Sequence, residues 1–317
     1  MATAFIFPGQ GSQAVGMGKG LAEAFPVARA VFDEVDAALA QKLSALMWDG
    51  PSEELTLTAN AQPALMAVSL AAIRVLEAEA GLSLARDAAF VAGHSLGEYS
   101  ALAAAGTFSI SDAARLLRIR GDAMQKAVPA GEGAMAALLG VDLDQARSIA
   151  ADAAEGQVCQ AANDNGGGQV VLSGARAAVE RAIALAGERG VRRAMLLPVS
   201  APFHCALMQP AAEAMQAALA EVAMAAPVVP VMANVGAAPL SDPAAIRASL
   251  VAQVTGTVRW RECVEAMAAA GVTQFFEVGS GKVLAGLVKR ITAGAAASSI
   301  GSPDDVASYK AQPGIQD

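Results

Sequence analysis

Short apolar runs that stop at a glycine, separated by alanine-rich stretches of helical spacing, constrain this 317-residue chain more than anything else in it. Residues 3–7 (Thr-Ala-Phe-Ile-Phe) end at Pro8-Gly9, and residues 88–92 run into Gly93. Helical patterns fill 15–48 and 62–80 between them, and a further helix is expected over 98–105. Buried strands that alternate with helices in this way belong to a parallel sheet covered on both faces. Hydrophobic residues make up 55% of the chain and aromatic residues only 4%, so its apolar mass is largely aliphatic and rich in alanine, the best helix former.

Between 128 and 197 the rhythm changes. A strand at 134–139, a helix at 143–154 and a strand at 158–161 lead into a polar, glycine-rich turn at 163–168. A strand at 169–172, a helix at 176–189 and a strand at 193–197 follow. The order βαββαβ is that of the split ferredoxin-like unit. The expected fold is therefore α/β: a parallel-sheet, hydrolase-like large domain from 1–127 and 198–317, with an inserted ferredoxin-like small domain at 128–197. The polar tail after Gly301 is expected to be loosely held.

Gly93-His94-Ser95-Leu96-Gly97 fits G-x-S-x-G, with the preceding strand and following helix that the pattern requires. A serine on so sharp a turn needs small neighbours, and the turn lifts its hydroxyl clear of the sheet. The helix behind it presents unpaired N–H groups where negative charge would develop. The chain has two histidines. His94 adjoins Ser95 and is expected to point away from its hydroxyl, in a structural role. His204, within Pro198-Val199-Ser200-Ala201-Pro202-Phe203-His204-Cys205, is then the imidazole available as a base. Taken alone, it reads equally well as a core histidine at a helix start.

Residues 112–126 read as a helix on which Ala113, Leu117, Arg120 and Met124 form one stripe. A guanidinium on that apolar face needs an anion. Periodicity alone favours a structural carboxylate, Glu98 being the obvious candidate, over a substrate carboxylate held by paired hydrogen bonds. Three glycine loops invite a nucleotide reading and fail it. Gly9-Gln10-Gly11-Ser12-Gln13-Ala14 loosely fits the dinucleotide pattern, but 28–40 is helical where the strand bearing a ribose-binding acid belongs. Gly18-Lys19-Gly20 and Gly279-Ser280-Gly281-Lys282 both depart from the phosphate-loop pattern. All three read as tight strand-to-helix turns at the carboxyl edge of the sheet, near Ser95.

The net charge of −8 argues against a nucleic-acid partner. No run of about 18 uncharged apolar residues is present, so no membrane span is expected. Residues 1–10 lack the basic start of a signal peptide. Cys159, Cys205 and Cys263 have no metal-ligand spacing, which points to no bound metal and to a reducing, cytoplasmic location.

Several segments together resemble, in order and over residues 3–300, the malonyl-CoA:acyl carrier protein transacylases of bacterial fatty-acid synthesis. They are Phe7-Pro8-Gly9-Gln10-Gly11-Ser12-Gln13, Gly93 through Tyr99, Arg120-Gly121 with Met124-Gln125, Gly133-Ala134-Met135, and Gly168-Gln169-Val170-Val171. Pro198 through Cys205 and Glu277-Val278-Gly279 complete the set. The resemblance implies that Ser95 bears the acyl group, that His204 is its base, and that the backbone N–H groups of Gln10 and Leu96 form the oxyanion hole. It implies that Arg120 pairs with the malonyl carboxylate, against the structural partner favoured by periodicity. It also implies that the carbonyl of Gln253 orients His204 in place of a triad aspartate. Asn163 matches a family position near the substrate. Phe203 resembles the malonyl-selecting form of polyketide acyltransferases, where bulk crowds a substrate's extra methyl group. Ser280 stands where many members have proline.

Malonyl-CoA is then the donor and the phosphopantetheine thiol of acyl carrier protein the acceptor, with no bound cofactor. The basic pairs Arg192-Arg193 and Lys289-Arg290 are candidate docking residues for the carrier. Rival readings are a malonyltransferase of a polyketide pathway, a serine hydrolase or esterase, a dinucleotide oxidoreductase, and a non-catalytic carrier-docking module. A hydrolase would want an acid at a strand end between Ser95 and His204, whereas Asp142, Asp144 and Asp152 fall in or just before the helix at 143–154.

Overall fold

The computed structural model describes residues 2–311. Among them, ten strands form two sheets: β1 (Ala2–Phe7), β2 (Phe90–Gly93), β3 (Gly133–Leu139), β4 (Cys159–Gly166), β5 (Gln169–Ala175), β6 (Arg193–Leu196), β7 (Val231–Ala233), β8 (Ala238–Leu240), β9 (Val272–Val278) and β10 (Ala296–Ile300). The larger sheet has the order β10-β9-β1-β2-β7-β8, parallel except for the β7–β8 pair. Along β1, Phe5 and Phe7 enter one hydrophobic core while Ala4 and Ile6 enter another, which also holds Trp260 and Phe275. Side chains of a strand alternate between faces, so a strand covered on both faces shows an unbroken apolar run.

The helix Thr58–Ala80 is long and apolar enough to cross a membrane, but 83% of its most apolar window is buried inside the fold. It is the core helix of a globular domain.

The smaller sheet is antiparallel, with the order β4-β5-β3-β6, and carries the helices Leu143–Ala154 and Arg176–Glu188. Leu138, Ile149, Leu172 and Val179 lie in its own core. The fold is thus α/β with a ferredoxin-like insertion in a parallel-sheet domain. Strand β4 also reaches the large sheet's side of the molecule. The N–H of Val258 donates to Ala162 O at 2.8 Å, Asp164 N–H donates to Val258 O at 2.9 Å, and Arg261 pairs with Asp164 at 2.9 Å.

Three segments differ from expectation. Residues 15–48 divide into Lys19–Ala24, Pro26–Leu39 and Leu43–Asp49, because Phe25 is extended before Pro26 and Ala40 is left-handed. Gly18 therefore caps the first of these helices and is not a strand-to-helix turn. Strand β4 runs on through Asn163, Asp164 and Asn165 to Gly166, where a turn was expected. Bulges at 161/163 and 164/166 break the alternation that would have marked it.

Finally, the expected loose tail contains the helix Pro303–Lys310, whose Ser302 and Asp305 form a reciprocal cap. Val306 and Tyr309 are buried, with Tyr309 edge-on to Phe276 at 5.0 Å. The polar residues that suggested looseness are cap residues. Residues 312–317 of that tail lie outside the described residues.

Candidate active site

Strands β1 and β2 end side by side, with Phe7 opposite Gly93. The loop carrying Gln10 and the turn carrying Ser95 therefore meet at the carboxyl edge of the sheet. Ser95 has φ 53°, a left-handed conformation that residues with a side chain rarely adopt. Its flanking glycines make the turn possible. A Cβ on Gly93 would lie 1.9 Å from the carbonyl carbon of Gly97, and one on Gly97 would lie 2.3 Å from Phe7 O. Asn234, directly after β7, braces the turn: its Oδ1 accepts from Ser95 N–H at 2.8 Å and its Nδ2 donates to Gly93 O at 2.8 Å.

His204 lies in the segment between β6 and the helix Gln209–Ala220, also with a left-handed backbone (φ 60°). Its Nε2 is 2.7 Å from Ser95 Oγ, and its Nδ1 is 2.9 Å from Gln253 O. A carbonyl can only accept, so Nδ1 carries the proton and the Nε2 lone pair faces the serine. Burial first, and the Arg120 charge second, push the imidazole down to about 3. It is neutral at pH 7 and free to take a proton. His94 instead faces Asn165 Oδ1 at 2.9 Å.

Arg120 is 1% exposed and shares its buried stripe with Ala113, Leu117 and Met124 on the helix Ile110–Lys126. It donates to Gln62 Oε1 at 2.8 Å, to Gln253 Oε1 at 2.9 Å and to Ser95 Oγ at 3.1 Å. Its guanidinium stands 5.6 Å from the Tyr99 ring centre, and its buried Nε has no hydrogen-bond partner. The structural partner that periodicity favoured does not pair with it. Glu98 accepts instead from Gln253 Nε2 at 2.8 Å and from Asn234 N–H at 3.0 Å. Among the described residues, the Arg120 charge has no carboxylate in an ion pair with it.

Ser95, His204 and Arg120 line one cavity of about 450 Å³, together with Gln10, Leu96, Asn163 and Phe203. No hydrogen bond among the described residues occupies the backbone N–H of Gln10 or Leu96. Asn163 Oδ1 is buried there without a partner. Of the expected site residues, Gln253 lies behind this cavity, fully buried against His204 and Arg120, and the four basic ones lie away from it. Arg192, Arg193, Lys289 and Arg290 are all exposed, and Arg290 lies against the β4–β5 turn at Gly167.

Residues 4–304 match the family model of the acyl transferase domain. The chain belongs to that family. The malonyl CoA-acyl carrier protein transacylase of Escherichia coli strain K12 is 48% identical over 304 residues, covering 96% of this chain and 97% of the relative. The crystal structure of an acyl-carrier-protein-S-malonyltransferase from Bartonella henselae matches with a TM-score of 0.95 at 58% identity, over 98% of each chain. A structure of a type II PKS acyl-carrier protein in complex with its malonyl-transacylase matches at TM-score 0.94 and 42% identity, covering 97% of this chain and 98% of that one.

Two members of this acyl transferase site escaped the sequence. Gln62 is a buried polar residue in an apolar helix, the same kind of anomaly that singled out Arg120. Asn234 follows a run of only three apolar residues, β7, too short to mark a strand end.

Proposed function

We infer that this acyl transferase moves the malonyl group from malonyl-CoA to the phosphopantetheine thiol of acyl carrier protein, through a malonyl ester on Ser95, and so supplies fatty-acid synthesis. One observation carries the reading: a serine paired to a neutral histidine shares its cavity with a buried guanidinium that has no carboxylate of its own. A malonyl thioester has the matching parts, an electrophilic carbonyl and, one methylene away, a carboxylate.

In the first half-reaction Ser95 Oγ attacks the thioester carbon as His204 Nε2 takes its proton. The N–H groups of Gln10 and Leu96 hold the oxyanion. The C–S bond breaks, and His204 returns the proton to the departing CoA thiol. In the second half-reaction the carrier thiol gives its proton to His204, its sulfur attacks the malonyl ester, and Ser95 leaves with the proton restored. Gln253 O holds the imidazole in the required tautomer throughout. Arg120 grips the malonyl carboxylate, Asn163 offers a polar contact to the acyl thioester, and Phe203 limits bulk beside it. Burial is the larger cause of the depressed His204 and the Arg120 charge the second, so a carboxylate bound at Arg120 relieves part of the depression as the correct substrate arrives.

We assign 1–127 and 198–317 to the large domain and 128–197 to the small one. Carrier docking is assigned to Arg192-Arg193 and Lys289-Arg290. Three free, buried cysteines fit a cytoplasmic setting. The structure with a type II PKS carrier supports a second reading, a malonyltransferase of polyketide synthesis with the same chemistry and a different carrier. A hydrolase triad is disfavoured, since His204 Nδ1 meets a carbonyl and not an acid.

Mass spectrometry after brief exposure to malonyl-CoA tests the reading. A malonyl adduct should appear on the Ser95 peptide, disappear on adding holo-carrier protein, and be absent from Ser95→Ala. His204→Ala should slow its formation by roughly 10²–10⁴-fold. An adduct of full yield on Ser95→Ala would overturn the assignment.

A further inference from the structure

Arg120 and Glu98 are a guanidinium and a carboxyl group, each 1% exposed, yet they do not pair. The side chain of Gln253 stands between them. Its Oε1 accepts from Arg120 Nη2 at 2.9 Å, while its Nε2 donates to Glu98 Oε2 at 2.8 Å and to Ser95 O at 3.0 Å. An amide is the uncharged side chain that can accept from a guanidinium at one end and donate to a carboxylate at the other. Without it, a buried guanidinium and a buried carboxylate would close into a bidentate pair, drawing Arg120 off Ser95 Oγ and neutralising it before any substrate arrived.

We propose that the Gln253 side chain is a positioning residue that keeps Arg120 and Glu98 apart, so that the guanidinium stays open to a substrate carboxylate beside Ser95. The proposal rests on the reading of Arg120 as the malonyl-binding group. The same residue serves His204 through its backbone carbonyl, which side-chain substitution leaves in place. The two roles of Gln253 are therefore separable.

The test compares initial rates of serine acylation by malonyl-CoA and by acetyl-CoA, over a concentration series, in the full-length protein. Gln253→Glu sets a carboxylate against Arg120, and Gln253→Met removes the bridge at nearly constant volume. Each is expected to lower the malonyl-to-acetyl preference at least tenfold, chiefly through a raised KM for malonyl-CoA. In the double variant Glu98→Gln/Gln253→Glu the amide and the carboxylate exchange places. That pair is complementary again, but Arg120 still faces a carboxylate, so thermal stability should recover toward wild type while the preference stays lost.

Return of the preference to within threefold of wild type in the double variant would overturn the proposal and make Gln253 a packing residue. Unchanged preference in either single variant would do the same. If a single variant fails to fold, the double variant decides. A wild-type protein that forms no malonyl ester on Ser95 would instead overturn the functional reading beneath the proposal.

Discussion

Burial and the neighbouring Arg120 charge push His204 down from 6.5 to about 3, whereas burial pushes Glu98 up from 4.5 to about 7. Between pH 6.5 and about 3 the unfolded chain holds a proton on His204 that the native state refuses, so falling pH costs stability there. Between about 7 and 4.5 the native state keeps a proton on Glu98 that the unfolded chain has lost, so falling pH favours the native state. From 6.5 to 4.5 the two effects oppose each other. Glu98→Gln removes one of them. Its stability should fall more steeply than wild type's as pH drops from 7 to 4.5, by up to about 1.4 kcal/mol per pH unit. Chemical denaturation across that range checks it, and parallel curves would show that Glu98 does not titrate there. For Arg120→Ala, malonyl acylation should fall by orders of magnitude and acetyl acylation by much less; equal losses would make Arg120 structural. At this scale the sequence shows Ser95 and His204 through motif and scarcity, and Arg120 through its misplaced charge. What Arg120 bonds to was not legible, because Gln253 lies 133 residues away and spacing does not reveal an amide between two charges.

At the scale of elements, legibility follows periodicity. Strand β1 is plain because both its faces are covered, and the helix Leu143–Ala154 because its stripe and its Asp142–Gln145 capping box agree. Strand β4 is obscured by two bulges, and part of its hydrogen bonding goes to Val258, far along the chain. The helix Pro303–Lys310 is short enough that its cap outweighs its stripe as a signal. Its stability should depend on that cap. Ser302→Ala is expected to cost about 0.5–2 kcal/mol, read as a shift in the urea midpoint at constant slope. The turn at Ser95 is far less forgiving. Gly97→Ala drives a methyl into Phe7 O and should cost more than about 4 kcal/mol or abolish soluble expression, whereas an exposed Gly187→Ala should be nearly neutral or stabilising.

For the molecule as a whole the net charge is −8, so exposed basic pairs are where an anionic partner would find local attraction. Charge reversal at Arg192-Arg193 or Lys289-Arg290 should raise the KM for carrier protein and flatten its salt dependence, while leaving serine acylation by malonyl-CoA nearly unchanged. Carrier kinetics indifferent to both reversals would place docking elsewhere. Ser95, for its part, lines a cavity of about 450 Å³ that donor and acceptor use in turn. They are therefore rivals. Double-reciprocal plots will give parallel lines at low carrier, and steeper ones once excess carrier occupies the unacylated enzyme and slows the donor. The bond broken and the bond finally made are both thioesters, so the exchange runs close to balance. The protein governs how fast two thioester pools come level, and the reaction that next consumes one of them decides which way the malonyl group flows.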